Sequence, residues 1–195
     1  MHSDTEEARE VKKNIILCGV GGQGILTIAR ILVSAALNEG FNFKQAEVHG
    51  MSQRGGSVYA HLRISDKAIH ASIIPRGKAD LVLSTEPLEA LKHANWLSDS
   101  GTFISSNSKL ENIDYNVEPI LKEIERLNGK LVYSKQLAEK AGNSLAENIV
   151  LLGAASYAIG LGGDALETAI KDIFSSKGEK IIELNLKAFE LGLKA

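Results

Sequence analysis

A single stretch near the start of the chain limits the fold more than any other. Ile15-Ile16-Leu17-Cys18 is followed by Gly19-Val20-Gly21-Gly22-Gln23-Gly24, and then by the apolar segment Ile25–Leu37. A short apolar run that stops at glycine reads as a buried strand. A segment apolar on most faces, closed by Asn38-Glu39-Gly40, reads as a helix buried against a sheet and another layer. Phe43–Val48 supplies the next strand, so the chain opens as β-α-β.

The glycine loop carries the G-x-G-x-x-G spacing between strand and helix. One glycine allows a tight turn, a second lets backbone approach a phosphate, and a third lets helix and strand pack closely. The helix N-terminus offers free N–H groups and a partial positive charge to an anion. Two readings stand. Gly19, Gly21, Gly22, Gln23 and Gly24 cradle a phosphate or nucleotide, or the glycines serve packing alone. A dinucleotide site also needs an acidic residue about 20 positions on. Glu47 is the nearest candidate and comes slightly late. The G-x-x-x-x-G-K-[ST] pattern of a P-loop ATPase is absent from the sequence.

Beyond Val48 the alternation of strand and helix patterns continues. Ser57–Ile64 alternates, with Val58, Ala60, Leu62 and Ile64 on one face and His61 among the out-facing residues. A Ser65-Asp66-Lys67 turn into Ala68–Ile74 suggests a hairpin. Asp80–Ser84, Thr102–Ser105 and Leu131–Tyr133 read as further strands. Pro87 opens one helix in its first turn, where its missing N–H costs nothing, and Val117–Leu127 forms another. The last third is helical, with capping signatures at Ser144-x-x-Glu147, Asp164-x-x-Glu167 and Ser176-x-x-Glu179. The pattern predicts an α/β fold: three layers, α/β/α, around a mixed, mainly parallel sheet with a Rossmann-like start. Residues 1–13 read as a flexible polar tail and 14–195 as one domain.

The most informative loop follows the second strand: Glu47-Val48-His49-Gly50-Met51-Ser52-Gln53-Arg54-Gly55-Gly56. Open α/β sheets place ligands at the C-terminal ends of their strands. Arg54 can hold a carboxylate or phosphate through two parallel hydrogen bonds. His49 can titrate near neutral pH, and Ser52 and Gln53 can donate to an oxygen. Each has a plainer role: His49 as a hydrogen-bonded structural residue, Arg54 as the partner of a helix end or of Glu47. No acidic residue is evident in the sequence to orient His49, and no nucleophile elbow is present, so no catalytic residue is assigned. The segment from His49 to Gly56 is read as a ligand or subunit-contact loop. Asn148 either caps its own helix or reaches across to the glycine loop. His49, His61, His70 and His93 do not stand at metal-ligand spacing, and no metal site is expected. Trp96 and Phe103 are core or interface residues.

Composition narrows the function classes. Lys and Arg number 22 against 24 Asp and Glu, a formal net charge of −2. That balance speaks against nucleic-acid binding and against a polybasic membrane anchor. The one cysteine, Cys18, cannot form an internal disulfide or hold a four-cysteine iron–sulfur cluster. The longest nearly apolar run, Ile149–Gly163, falls short of the roughly 20 residues of a membrane span. The polar N-terminus lacks the apolar core of a signal peptide. A cytoplasmic location is the expectation.

Taken together, the two loops are similar to the gamma-type domain of the 2-oxoacid:ferredoxin oxidoreductase family, in its indolepyruvate branch. The resemblance also runs through Ile74-Pro75-Arg76-Gly77-Lys78-Ala79-Asp80 and Glu86-Pro87-Leu88-Glu89-Ala90-Leu91. It continues to Asn148 and the helix after it, from Asn14 to about Leu161. The E-V-H-G-M-S-Q-R-G-G form separates this branch from the pyruvate branch. The resemblance implies a subunit of an enzyme that oxidatively decarboxylates an aryl 2-oxoacid with coenzyme A. The products are an acyl-CoA, carbon dioxide and reduced ferredoxin. It places thiamine diphosphate and the 4Fe–4S clusters on a large partner subunit, with ferredoxin as the electron acceptor of the complex. Coenzyme A is the ligand it suggests for the glycine loop and Arg54. An autonomous nucleotide-binding module, or a subunit for another 2-oxoacid such as pyruvate or 2-oxoglutarate, is the alternative.

Overall fold

The structure, a computed structural model, describes residues 12–50, 55–110 and 114–195. It contains β1 (Lys12–Val20), α1 (Ile25–Asn38), β2 (Asn42–His49), β3 (Ser57–Ser65), β4 (Ala79–Ser84) and α2 (Pro87–His93). These are followed by β5 (Leu97–Ser106), α3 (Val117–Arg126), β6 (Lys130–Val132), α4 (Ser134–Ala141), α5 (Glu147–Ile159), α6 (Gly163–Phe174) and α7 (Glu179–Leu193). Of the expected N-terminal tail, residues 1–11 lie outside the described residues. Lys12 and Lys13 belong to β1, where they pair with Ser65 and Ile64.

Six strands form one sheet in the order β2-β3-β1-β4-β5-β6. β3 runs antiparallel to both neighbours, while β1–β4, β4–β5 and β5–β6 are parallel pairs. The sheet is thus mixed and mainly parallel, as the pattern predicts, although the expected hairpin is not its cause. Ala68–Ile74 forms no strand. β3 spends both its edges on β1 and β2, which leaves no ladder for a third partner. The crossover through α1 skips one position, and β3 fills the gap between β1 and β2.

Alternation along β1 sorts its side chains between two cores. Ile15 and Leu17 face α1 and the C-terminal helices, packing with Ile28, Leu32, Ile149, Leu152 and Phe189. Ile16 and Cys18 face α2 and α3, packing with Val82, Ala90, Phe103 and Ile124. Both faces of the central strand are therefore dry, and Cys18 is wholly buried, which pushes its thiol up to about 12. Such a thiol is a small apolar side chain rather than a nucleophile.

The second face of β3 is closed by an aromatic layer. His61 is 3% exposed, not out-facing, because Tyr59, His93 and Trp96 cover it. Its Nδ1 accepts the Ile74 N–H at 3.2 Å. Trp96 stacks on His93, donates its indole N–H to Ile74 O at 3.2 Å and carries the Arg76 guanidinium over its ring, 5.2 Å from the centroid.

The C-terminal helices begin near the three predicted capping signatures, but no side chain of those signatures makes the cap. Asn143 accepts the Leu145 N–H ahead of α5, and Gly162 and Gly178 precede α6 and α7 without a cap from their own signatures, the Gly162 N–H donating to Glu39 Oε1 at 2.7 Å. Here burial, rather than capping, holds the helix ends. α5 and α7 meet backbone to backbone: a β-carbon on Gly153 would lie 2.3 Å from Phe189 O, and one on Gly192 would lie 2.1 Å from Val150 O.

Two outcomes are expected from these contacts. Gly192→Val forces α7 off α5, and equilibrium denaturation should record a loss of about 3 kcal/mol, at the upper end of overpacking costs. Burial also holds the His61 and His93 imidazoles below their ordinary pKa of 6.5, with His93 adding to the effect on His61. The folded state binds fewer protons than the unfolded chain, so stability present above about pH 6.5 is lost as the pH falls. A denaturation series from about pH 7 to pH 5 should fall less steeply for His61→Gln than for the parent chain.

Candidate functional site

The glycine loop stands at the C-terminal end of β1, beside the end of β4. Gly19 continues β1 opposite Val58. A β-carbon there would sit 2.0 Å from Thr85 Oγ1, so only glycine lets the two strand ends close. Gln23 folds back over the turn. Its Oε1 accepts the Val20 N–H at 2.8 Å and the Thr85 hydroxyl at 2.9 Å, and its Nε2 donates to Thr85 O at 3.2 Å. Thr85 N–H in turn donates to Cys18 O at 3.0 Å. Gln23 is thus a clamp on the loop rather than a group free to reach a ligand.

Gly24 precedes α1 at φ 76° with no side-chain cap. Its carbonyl accepts the Asn148 side-chain N–H at 3.2 Å, the second of the two roles open to Asn148 in the sequence. A β-carbon on Gly24 would lie 2.4 Å from that Asn148 nitrogen. Gly22, at φ 103°, faces open space. Of the loop glycines, Gly19 and Gly24 are required by packing, and Gly22 is the position where backbone stands open to an approaching group.

Gly22, Gly24 and Thr27 form one end of a cleft of about 580 Å³. The opposite wall comes from the C-terminal third: Asn148 and Glu147 at the start of α5, Lys177 before α7, and Ile181 and Asn185 on α7. The uncapped start of α1, with its positive end, therefore opens into a half-open cleft of the size small-molecule sites occupy. The cleft carries Lys177 as a cation and Glu147 as a carboxyl. Burial holds Glu147 above the usual carboxylate range, against the Ser134 hydroxyl that donates to it at 3.0 Å. Asn185, 2% exposed, donates to Ile181 O at 2.8 Å.

A second cleft, of about 340 Å³, lies on the other side of the glycine loop between Val20, Gly21, Gly22, Leu26 and His49. The structure supplies His49 with the acidic partner that the sequence reading lacks: Glu47 Oε2 stands 3.1 Å from His49 Nε2. Residues two apart on a strand share a face, which brings the two together. Gln45 binds the other oxygen of Glu47. β3 separates β2 from β1, so Glu47 stands two strand spacings, about 10 Å, from the end of β1. The acid of a dinucleotide site sits on the strand next to the loop. Glu47 instead orients His49.

Met51, Ser52, Gln53 and Arg54 lie outside the described residues. The ends of their loop are held: Gly50 N–H donates to Ser57 O and Gly21 N–H to Gly56 O, both at 2.8 Å, while Gly55 is exposed. Ser57 donates to Glu89 at 2.5 Å, and Lys92 pairs with the same carboxylate at 2.6 Å. Glu86, 1% exposed, caps α2 through the Glu89 N–H at 2.9 Å and receives the Tyr115 hydroxyl, whose pKa burial and this carboxylate raise.

Sequence reasoning missed Thr85, Glu147, Lys177 and Asn185. Thr85 was within reach of it, since the residue after a parallel strand lies at the ligand edge. The wall from α7 was not, because only helix packing brings it over the loop.

The sequence places this arrangement of sheet, glycine loop and C-terminal helices in a known class: the chain belongs to the pyruvate ferredoxin/flavodoxin oxidoreductase family, whose profile matches residues 14–195. Two particular relatives define the neighbourhood. The indolepyruvate oxidoreductase subunit IorB of Pyrococcus horikoshii is 40% identical over 193 residues, covering 93% of this chain and 95% of its own. The common subunit gamma of the pyruvate/ketoisovalerate oxidoreductases of Pyrococcus abyssi is 33% identical, covering 88% of this chain and 92% of its own. Among solved structures, the pyruvate oxidoreductase subunit PORC of Thermotoga maritima superimposes with a TM-score of 0.71 at 23% identity, over 94% of this chain and 96% of its own. The 2-oxoglutarate:ferredoxin oxidoreductase of Magnetococcus marinus, solved with 2-oxoglutarate, coenzyme A and succinyl-CoA bound, gives a TM-score of 0.75 at 18% identity. This chain spans 30% of that one and is itself covered to 94%. Among the described residues no helix is long and apolar enough to cross a membrane.

Three of the four loop glycines should separate by variant. Gly19→Ala and Gly24→Ala collide with Thr85 and Asn148 and should each cost about 2–3 kcal/mol in chemical denaturation. Gly22→Ala meets no atom and should cost only the backbone strain, about 1 kcal/mol.

Proposed function

We propose that this chain is the small, cluster-free subunit of an indolepyruvate (aryl 2-oxoacid):ferredoxin oxidoreductase. The complex would convert a 2-oxoacid, coenzyme A and two oxidised ferredoxins to an acyl-CoA, carbon dioxide, two reduced ferredoxins and a proton. The observation that carries the proposal is the 40% identity to an indolepyruvate oxidoreductase subunit over nearly the whole of both chains.

The residues divide the labour. Thiamine diphosphate and the 4Fe–4S clusters are assigned to a large partner subunit: the one thiol here, Cys18, is buried between sheet and helices and has no companions for a four-cysteine site. A coenzyme A phosphate fits the glycine loop on three grounds. The start of α1 is uncapped, Gly22 faces open space, and Lys177 stands on the far wall of the same cleft. In that role Gly22 and the first N–H groups of α1 would receive the phosphate. Gln23 and Thr85 would hold the loop rigid behind it, and Asn148 would fix Gly24. His49, oriented by Glu47, and the segment of Met51, Ser52, Gln53 and Arg54 would contact ligand or partner at the same edge.

The test is anaerobic co-expression of this chain with the large subunit of an indolepyruvate oxidoreductase from the same organism. Reduction of a viologen dye should depend on indolepyruvate, on coenzyme A and on both chains. A complex that forms but turns over no 2-oxoacid would refute the enzyme-subunit reading. Within the active complex, Gly22→Val should raise the KM for coenzyme A by about tenfold, with a smaller change in the KM for indolepyruvate. An unchanged KM for coenzyme A would remove the phosphate from the loop.

A further inference from the structure

β1 is nine residues long, and its two ends serve different surroundings. The glycine loop lies at one end, and the other end, about 26 Å away by strand rise, borders a separate cavity of about 340 Å³. Lys12 and Asn14 of β1, Arg63 of β3 and the turn from Lys67 to Ala71 line it. Three of these side chains, Lys12, Arg63 and Lys67, are cationic, His70 is a fourth basic group, and no carboxylate among the described residues lines the cavity. On a chain of formal charge −2 this is a local concentration of positive charge.

The arginine is pre-positioned. Its Nε donates to Asn14 Oδ1 and its Nη1 to Ala71 O, each at 2.8 Å. Asn14 is buried and fixed in turn, its backbone N–H on Asp80 Oδ2 at 2.7 Å and its side-chain N–H on Lys78 O at 3.2 Å. Asn14 thus bonds the guanidinium through its side-chain oxygen and the Asp80 carboxylate through its backbone N–H. Arg63 Nη2 has no acceptor among the described residues. Lys44 donates to His70 O at 3.3 Å, which brings a further ammonium to the rim. Asp66, the nearest acidic residue on the turn, receives the Ser65 hydroxyl at 3.4 Å. A guanidinium held by two bonds loses little freedom on binding an oxyanion, and the ammonium groups of Lys12 on β1 and Lys44 on β2 can share the charge.

From this geometry we infer a second ligand site, specific for a small multivalent oxyanion and independent of the glycine loop. Phosphates and carboxylates of one ligand present the same chemistry to Arg63, and two probes separate them. Inorganic pyrophosphate and citrate are titrated into the full-length chain, uniformly labelled with nitrogen-15, and amide resonances are followed.

The expected result is a saturable shift of Lys12, Asn14, Arg63 and the residues of the 67–71 turn, with Gly22–Thr27 unmoved. The effective probe identifies the source: pyrophosphate a phosphorylated ligand, citrate a polycarboxylate. Arg63→Gln should weaken binding by about tenfold or more. Lys12→Glu, at an exposed position outside the Arg63 contacts, should weaken it similarly without loosening the turn. Raised salt should weaken it further. The inference is overturned if neither probe moves these resonances or if the shifts rise without saturation. It is equally overturned if binding survives Lys12→Glu unchanged or if Gly22–Thr27 shift in place of the turn.

Discussion

The closure of two strand ends on one point governs the rest of the molecule. Thr85, at the end of β4, places its hydroxyl where Gly19 would carry a β-carbon, and Gln23 binds both that hydroxyl and the Thr85 carbonyl. This knot fixes the turn from β1 into α1, and so the direction of the helix and its free N–H groups. Without a side chain at Gly19 the strands approach, the turn tightens and the start of α1 opens into a cleft. With one, Thr85 must leave, and Gln23 loses its partner.

The far wall of the cleft depends on a second close approach. Gly153 and Gly192 let α5 and α7 touch through their backbones, which carries Ile181 and Asn185 opposite the glycine loop. Asn148 joins the two halves by spanning 124 residues of sequence to reach Gly24 O. The same helices bury the inner face of the sheet, so a change that separates α5 from α7 exposes core and dismantles the cleft together. Stability and site share their contacts here.

Much of the fold was legible because strands buried on both faces leave continuous apolar runs and loops at the ligand edge leave glycines. The runs at Ile15–Cys18 and Asp80–Ser84, the helix from Ile25, and the interest of the Glu47–Gly56 loop all came from local pattern. The misread parts have one cause in common. His61 looks out-facing on alternation, yet Trp96 and His93, more than thirty residues on, close over it and its strand neighbour Tyr59. Ala68–Ile74 looks like a hairpin partner, yet β2 had already taken that edge of β3. The signatures at Ser144, Asp164 and Ser176 mark helix starts, yet long-range packing fixed the ends without their bonds.

The sequence by itself determined which segments are apolar, where the chain must turn, and that a lone cysteine cannot hold a four-cysteine cluster. These follow from side-chain chemistry and local backbone freedom, which act over a few residues. Only the tertiary structure decided that β3 would slip between β1 and β2, that Glu47 would orient His49 instead of standing beside the glycine loop, and that α7 would wall the cleft. Those outcomes rest on which surfaces remain to be buried once the others have paired, and no short stretch of sequence contains that competition.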